Sequence, residues 1–82
     1  MQNNGTVDFT IGGKRVSLSK KAVESALRNV EPEPIRKYSV QVGDSEYPIK
    51  QVVSVASGIP IAAFISTDAY RILTRLGFEV RV

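Results

Sequence analysis

Residues 38–58 read YSVQVGDSEYPIKQVVSVASG, and this stretch predicts a strand, a turn, a second strand and a helix. Apolar and polar residues alternate over 38–42, which is the period-two pattern of a half-buried strand. The turn-forming residues 43–46 follow. Pro48 suits the first position of a helix, where its missing N–H needs no partner. Gly58 is the expected C-terminal cap, because glycine readily adopts a left-handed conformation.

The residues before this unit predict a hairpin and a helix. Apolar and polar residues alternate on both sides of Gly12-Gly13, over 7–11 and over 15–18, and the glycine pair fits a tight two-residue turn. Ser19 is a good N-cap for a helix that runs to about Val30, with apolar residues at helical spacing on one face.

The residues after the central unit predict one more helix and a closing strand. An apolar run, residues 59–65, leads to Ser66 or Thr67 as the cap of a helix that ends at Gly77. Alternation over 78–82 predicts the last strand.

The predicted fold class is α+β, with three short amphipathic helices packed on a small sheet in the approximate order β-β-α-β-β-α-α-β. A chain of 82 residues is too short to build two hydrophobic cores. We therefore expect a single domain over residues 1–82, with residues 1–6 as a flexible N-terminus.

Composition excludes the commonest catalytic and metal-binding chemistries. The chain contains no histidine and no cysteine, which removes the usual general base, the thiolate nucleophile and the commonest metal ligands. Two acidic pairs, Asp44 with Glu46 and Glu31 with Glu33, lie in a predicted turn and a proline-rich loop, where acidic residues are common. We expect no enzymatic activity, no catalytic residues, no metal and no cofactor.

The basic residues suggest an anionic partner. Eleven Lys and Arg against eight Asp and Glu give a net charge of +3, and this excess lies in residues 1–37. Basic side chains contact nucleic-acid phosphates, while Gln and Ser can hydrogen-bond sugars or base edges. The candidate contacts on predicted solvent faces are Lys50, Gln51, Ser54, Arg71, Arg75, Lys14, Arg15, Lys20 and Lys21. The expected partner is nucleic acid, specifically DNA, bound weakly and with little sequence preference.

Two other features leave alternatives open. Tyr38, Tyr47 and Tyr70 are able to stack on bases, but strand packing explains Tyr38 and Tyr47 equally well. Residues 59–65 are more apolar than a surface loop, so they are either core or a partner surface. The competing hypothesis is therefore a protein-interaction or oligomerisation module.

Nothing in the sequence indicates a membrane protein. No stretch approaches the roughly 18 consecutive apolar residues that a membrane span needs. The polar residues 1–5 lack the basic and then apolar pattern of a secretory signal. We expect a cytoplasmic protein with no membrane partner.

Two segments carry a resemblance to a known bacterial pattern: YSVQVGDSEYPIK, residues 38–50, and RILTRLGF, residues 71–78. With the apolar helix between them, they resemble the N-terminal head domain of ScoMcrA-type modification-dependent restriction endonucleases and related small modules. The resemblance implies an accessory DNA-binding module beside a modification-sensing domain and an HNH nuclease, and it carries over Lys50 by motif. Because this chain has no histidine for an HNH site, the resemblance implies a nuclease or other protein partner.

Overall fold

A computed structural model describes residues 5–82 of the chain. Over this range it contains three α-helices and five β-strands in the predicted order, with one 3₁₀ turn before the last helix. The strands are β1 (Val7–Ile11), β2 (Lys14–Leu18), β3 (Ser39–Val42), β4 (Ser45–Pro48) and β5 (Val80–Arg81). The helices are α1 (Lys20–Leu27), α2 (Ile49–Ser57) and α3 (Ser66–Arg75), and the 3₁₀ turn is Ile61–Ala63. The α+β prediction is confirmed, whereas most of the predicted flexible segment, residues 1–6, lies outside the described residues.

The strands divide between two small antiparallel sheets instead of forming one. β1 pairs with β2 in a hairpin, and β4, β3 and β5 form a three-stranded sheet in that spatial order. Val40 on the central strand pairs with Tyr47 on one side and with Val80 on the other. The closing strand is shorter than predicted, because only Val80–Arg81 of residues 78–82 pairs with β3.

The turn of the first hairpin packs against the 3₁₀ turn. Gly12 and Gly13 both have positive φ, 55° and 81°, as the predicted two-residue turn requires. A Cβ on Gly12 would lie 3.0 Å from the Cβ and the carbonyl oxygen of Ala63, whereas a Cβ on Gly13 would meet nothing within 4 Å. Glycine at position 12 therefore permits both the turn and the close approach of the two segments.

Helix α1 ends at Leu27, three residues before the predicted end at Val30. Asn29 has a φ of 70°, which turns the chain out of the helical path. The buried Tyr47 hydroxyl lies 3.1 Å from the Leu27 carbonyl oxygen and 2.9 Å from that of Val30. The Tyr47 hydroxyl thus provides a donor to the segment that follows α1, in addition to the Val30 N–H, which donates to the Leu27 carbonyl oxygen at 3.0 Å.

The hydrophobic core draws on all three helices and both sheets, and α2 lies at its centre, in contact with α1 and with α3. The largest fully buried side chains are Ile11, Leu27, Leu73, Val23, Val40, Val52 and Val53. Helix α2 ends as predicted at Gly58, whose φ of 78° is left-handed.

Residues 59–65 contribute both to the core and to the surface. Ile59 and Phe64 are buried, each 4% exposed, so they belong to the core. Ile61 and Ile65 are 39% and 62% exposed. The core interpretation therefore holds for Ile59 and Phe64, whereas Ile61 and Ile65 lie at the surface.

Helix α3 begins at Ser66, and Ile65 occupies the N-cap position where Ser66 or Thr67 was predicted. The Asp68 carboxylate accepts a hydrogen bond from the Ile65 N–H at 3.2 Å, which satisfies one free group at the helix start. The hydroxyls of Ser66 and Thr67 make no helix-capping hydrogen bond in this part of the described chain.

Candidate functional site

A concave groove of about 500 Å³ lies between the segment before β3 and the N-terminal turns of α2 and α3. Three basic side chains line it, Arg36, Lys37 and Lys50, against one acidic side chain, Glu33. Ser66, the first residue of α3, also lines it. We call this concavity the basic groove.

Gln51 holds one wall of the basic groove in place. Its side-chain Nε2 donates to the Glu31 carbonyl oxygen, and its Oε1 accepts from the Glu33 N–H, both at 2.9 Å. These two bonds tie the proline-rich loop to α2, immediately before Arg36 and Lys37 in the chain.

The prediction that Gln51 faces solvent is wrong, because the residue is only 5% exposed. The loop of residues 31–34 covers the side of α2 that helical spacing left polar. Both polar atoms of the Gln51 amide are hydrogen-bonded to backbone groups of the loop, so Gln51 is removed from the candidate nucleic-acid contacts. Ser54 has a similar place: it is half-buried, and its hydroxyl donates to the Ile59 carbonyl oxygen at 2.7 Å.

Lys50 has a defined direction in the groove. It is the second residue of α2 and is half-buried, and its Nζ lies 5.5 Å from the centre of the Phe64 ring. Phe64 is itself part of the core. The Lys50 stem therefore packs on apolar surface while its ammonium group lies over an aromatic face, a favourable cation–π geometry.

A second concavity of about 370 Å³ adjoins the basic groove and shares Tyr38, Ser66 and Thr67 with it. Its other lining residues are Tyr70 and Val82, and we call it the tyrosine pocket. The two tyrosine rings are 5.9 Å apart at an angle of 71°, an edge-to-face arrangement. Lys37 lies beside this pair, with its Nζ 5.3 Å from the centre of the Tyr38 ring.

The structure does not bring Arg71 and Arg75 to the groove that contains Lys50. Both arginines are exposed and line a separate concavity of about 210 Å³ next to β1. Asp8 and Asp68 line the same concavity, so two acidic residues share it with the two arginines. The Arg75 guanidinium carbon also lies 5.4 Å from the centre of the Phe9 ring. Two basic and two acidic residues line this concavity, whereas three basic residues and one acidic residue line the basic groove, so it is the poorer of the two as a site for an anion.

Four basic residues predicted as contacts are exposed and line neither the basic groove nor the tyrosine pocket: Lys14, Arg15, Lys20 and Lys21. Arg15, next to Lys14 on β2, lies 3.8 Å from the Asp8 carboxylate in an exposed ion pair. Lys20 points its Nζ toward the Gly77 carbonyl oxygen at 3.4 Å and lies 5.2 Å from the Phe78 ring centre. Lys21 is exposed on α1.

One of the three comparisons with known proteins gives a match. The family model described as SCO5918-like matches residues 10–82. This chain belongs to the SCO5918-like family. No curated protein and no solved structure matches it significantly. The SCO5918-like match covers both concavities, and it names no restriction enzyme, so the resemblance to ScoMcrA head domains stays a hypothesis.

Sequence reasoning identified Lys50 but missed Arg36 and Lys37 in this SCO5918-like domain. The available signal was their position, directly after the proline-rich loop and directly before Tyr38. Of the tyrosines considered for base stacking, Tyr47 is buried and its hydroxyl faces the end of α1. Tyr38 is half-buried and Tyr70 is 46% exposed, so these two remain accessible to a ligand.

Two features are absent from the part of this SCO5918-like chain that the structure describes. Across residues 5–82, no three acidic, histidine or cysteine side chains cluster closely enough to hold a metal ion. Within the same range, no helix combines the length and the apolar character required to cross a membrane.

Proposed function

We propose that this protein is a non-enzymatic nucleic-acid-binding module that holds phosphates in the basic groove. The observation that carries the proposal is the convergence of Arg36, Lys37 and Lys50 on one concavity that Glu33 alone opposes. Guanidinium and ammonium groups are the usual protein partners of phosphate oxygens. The hydroxyls of Ser66 and Thr67 lie in the same groove and can donate to an oxygen of the same phosphate.

The proposed binding is weak and tolerant of sequence. Three phosphate contacts supply only a modest part of the electrostatic free energy that larger interfaces gain. The groove offers charge and hydroxyls, which position a backbone, and Gln51, the amide expected to recognise base edges, is occupied by the loop. We therefore expect micromolar affinity at physiological salt, with DNA as the partner.

The remaining basic residues have a secondary place in this proposal. Arg71 and Arg75 share their concavity with Asp8 and Asp68, and these two negative charges lower the local positive potential. Lys14, Arg15, Lys20 and Lys21 extend from the hairpin and from α1, where they can add long-range attraction to a polyanion. We include these residues as peripheral contacts.

The wider proposal follows the resemblance to ScoMcrA head domains. In it, the chain is an accessory module of a bacterial restriction or defence system in the cytoplasm, and a separate nuclease cuts the DNA. Lys50 lies in the segment that carries the resemblance and also in the basic groove, and this coincidence supports the connection.

Three double variants with the same loss of charge test the groove. Arg36→Gln with Lys50→Gln removes two groove cations, Arg71→Gln with Arg75→Gln removes the α3 pair, and Arg28→Gln with Arg81→Gln is the matched control. Binding of a labelled oligonucleotide is measured by fluorescence anisotropy at low salt. We expect the groove variant to bind about 10- to 30-fold more weakly, at about 1 kcal/mol for each charged contact removed.

The control variant is expected to bind within about twofold of the wild type, because Arg28 and Arg81 do not line the groove. An equal loss in the groove variant and the control would show that only net charge matters, and the groove assignment would fail. A larger loss of affinity in the Arg71 and Arg75 variant than in the groove variant would place the binding site on α3.

The exposure of Ile61 and Ile65 favours one alternative, a protein-interaction or oligomerisation module. Ile61 lines the basic groove, so a partner on this surface would compete with nucleic acid. Sedimentation of wild type and Ile65→Asp separates the two functions. A wild-type dimer that becomes a folded monomer in the variant, together with no binding of nucleic acid, would replace the first proposal.

A further inference from the structure

We infer that the ligand is a single strand of nucleic acid with one unpaired base stacked on Tyr70 in the tyrosine pocket. This inference rests on the proposed function, because it takes the basic groove as the place of the phosphates. It adds the form of the nucleic acid and a second subsite for the base.

The two concavities differ in chemistry in the way that the parts of a nucleotide differ. The basic groove contains three cations and one carboxylate, which suits a phosphate. The tyrosine pocket is lined by two tyrosines, a serine, a threonine and a valine, with no acidic or basic side chain among these residues. Its volume of about 370 Å³ lies within the range of sites that hold small organic groups.

The tyrosine pair is suited to hold a base. The edge-to-face contact of Tyr38 and Tyr70 fixes the angle of both rings, so neither ring must be ordered when a ligand arrives. Tyr70 still exposes 46% of its surface, so part of its ring is accessible to a ligand. Aromatic side chains with an accessible face are the usual stacking partners of unpaired bases.

The connection between the two concavities favours single-stranded nucleic acid over a duplex. They share Tyr38, Ser66 and Thr67, so a base in the pocket can remain attached to a phosphate in the groove. In a duplex the bases are stacked and paired inside the helix, and presenting one to the pocket would cost the free energy of unstacking. A single strand offers its bases without that cost.

Four probes of equal length test the inference: a thymidine DNA strand, a uridine RNA strand, an abasic DNA strand and a DNA duplex. The abasic strand has the same phosphates and lacks the bases. We expect either single strand to bind wild type about 5- to 150-fold more tightly than the abasic strand, which corresponds to about 1–3 kcal/mol for one stacked base.

Variants of Tyr70 identify the stacking ring. Tyr70→Leu is expected to lower the affinity for the base-containing strand to that for the abasic strand, while Tyr70→Phe retains wild-type affinity because it keeps the ring. The thermal unfolding of each variant confirms folding, as Tyr70 is partly exposed. The chain has no tryptophan, so tyrosine emission is measurable and should be quenched by the base-containing strand alone.

The outcomes separate this inference from the proposed function. If abasic and base-containing strands bind equally and both are weakened by Arg36→Gln with Lys50→Gln, phosphate binding stands and base stacking is refuted. Tighter binding of the duplex than of either single strand also refutes the inference. If no probe binds at low salt, both proposals fail.

Discussion

Gln51→Leu tests whether the buried amide holds the wall of the basic groove. Leucine has a similar size and keeps the apolar contacts, but it removes the 2.9 Å bonds to the Glu31 carbonyl oxygen and the Glu33 N–H. Each lost hydrogen bond costs about 1 kcal/mol, and the part-buried partners lose further free energy because water reaches them poorly. We expect the free energy of unfolding to fall by about 2–3 kcal/mol, a decrease in Tm of roughly 10–20 °C for a domain of this size.

The functional consequence follows from the position of the loop. Arg36 and Lys37 follow the segment that Gln51 holds, so releasing this segment should broaden their positions and weaken oligonucleotide binding. Gln41→Leu is the matched control, because Gln41 is exposed on β3 and donates only to the Gly43 carbonyl oxygen at 3.3 Å. The control should change the free energy of unfolding by less than about 0.5 kcal/mol.

Gln51→Glu adds a dependence on pH with a definite sign. The introduced carboxyl can still accept from the Glu33 N–H, but it can donate to the Glu31 carbonyl oxygen only when protonated. Burial and this bond raise its pKa in the folded state above the usual value of about 4.3. The folded state then holds the proton more tightly, so the variant is closest to wild type near pH 4 and loses stability as the pH rises through the folded-state pKa.

Urea unfolding followed by circular dichroism, at pH 4 and at pH 7, measures all three variants. The reasoning is refuted if Gln51→Leu is as stable as Gln41→Leu and binds oligonucleotide as the wild type does. It is refuted in part if Gln51→Glu shows no greater cost at pH 7 than at pH 4.

Two further predictions concern elements that position the site. Gly12→Ala should destabilise the protein more than Gly13→Ala does, because both residues have positive φ but only a Cβ at position 12 meets Ala63, at 3.0 Å. Thermal unfolding of the two variants checks this order of stability, and equal Tm values would contradict it. Tyr47→Phe should lower the free energy of unfolding by about 1–2 kcal/mol, because the hydroxyl faces two carbonyl oxygens at the end of α1. Chemical denaturation measures this loss, and a variant as stable as wild type would contradict the assignment.

The parts of the fold that follow local rules could be predicted from the sequence. The end of α2 at Gly58 and the turn at Gly12-Gly13 depend on the conformations of these glycines themselves. Pro48, predicted at the first position of α2, instead precedes the helix as its extended N-cap residue. The end of α1 could not be predicted in this way, because the chain there packs against the hydroxyl of Tyr47, which faces the carbonyl oxygens of Leu27 and Val30, 20 and 17 positions earlier. Residue spacing alone contains no sign of that contact.

The candidate site shows the same limit. Lys50 could be assigned a fixed direction because it follows a proline at the start of a helix. Gln51, its neighbour, was assigned to solvent because helical spacing does not reveal that a distant loop packs over it. Tertiary packing brings Arg36 and Lys37 into one groove with the start of α3. It also places Arg71 and Arg75 in a different concavity from Lys50.

The salt dependence of binding tests the central claim, phosphate contact in the basic groove, most directly. Three phosphate contacts with a single strand predict a slope of log affinity against log salt of about −2, at roughly 0.7 for each contact. Arg36→Gln with Lys50→Gln should reduce the slope to about −0.7, since one contact remains, while Arg28→Gln with Arg81→Gln should leave it near −2. A wild-type slope near zero, or an equal reduction in the control, would contradict the account.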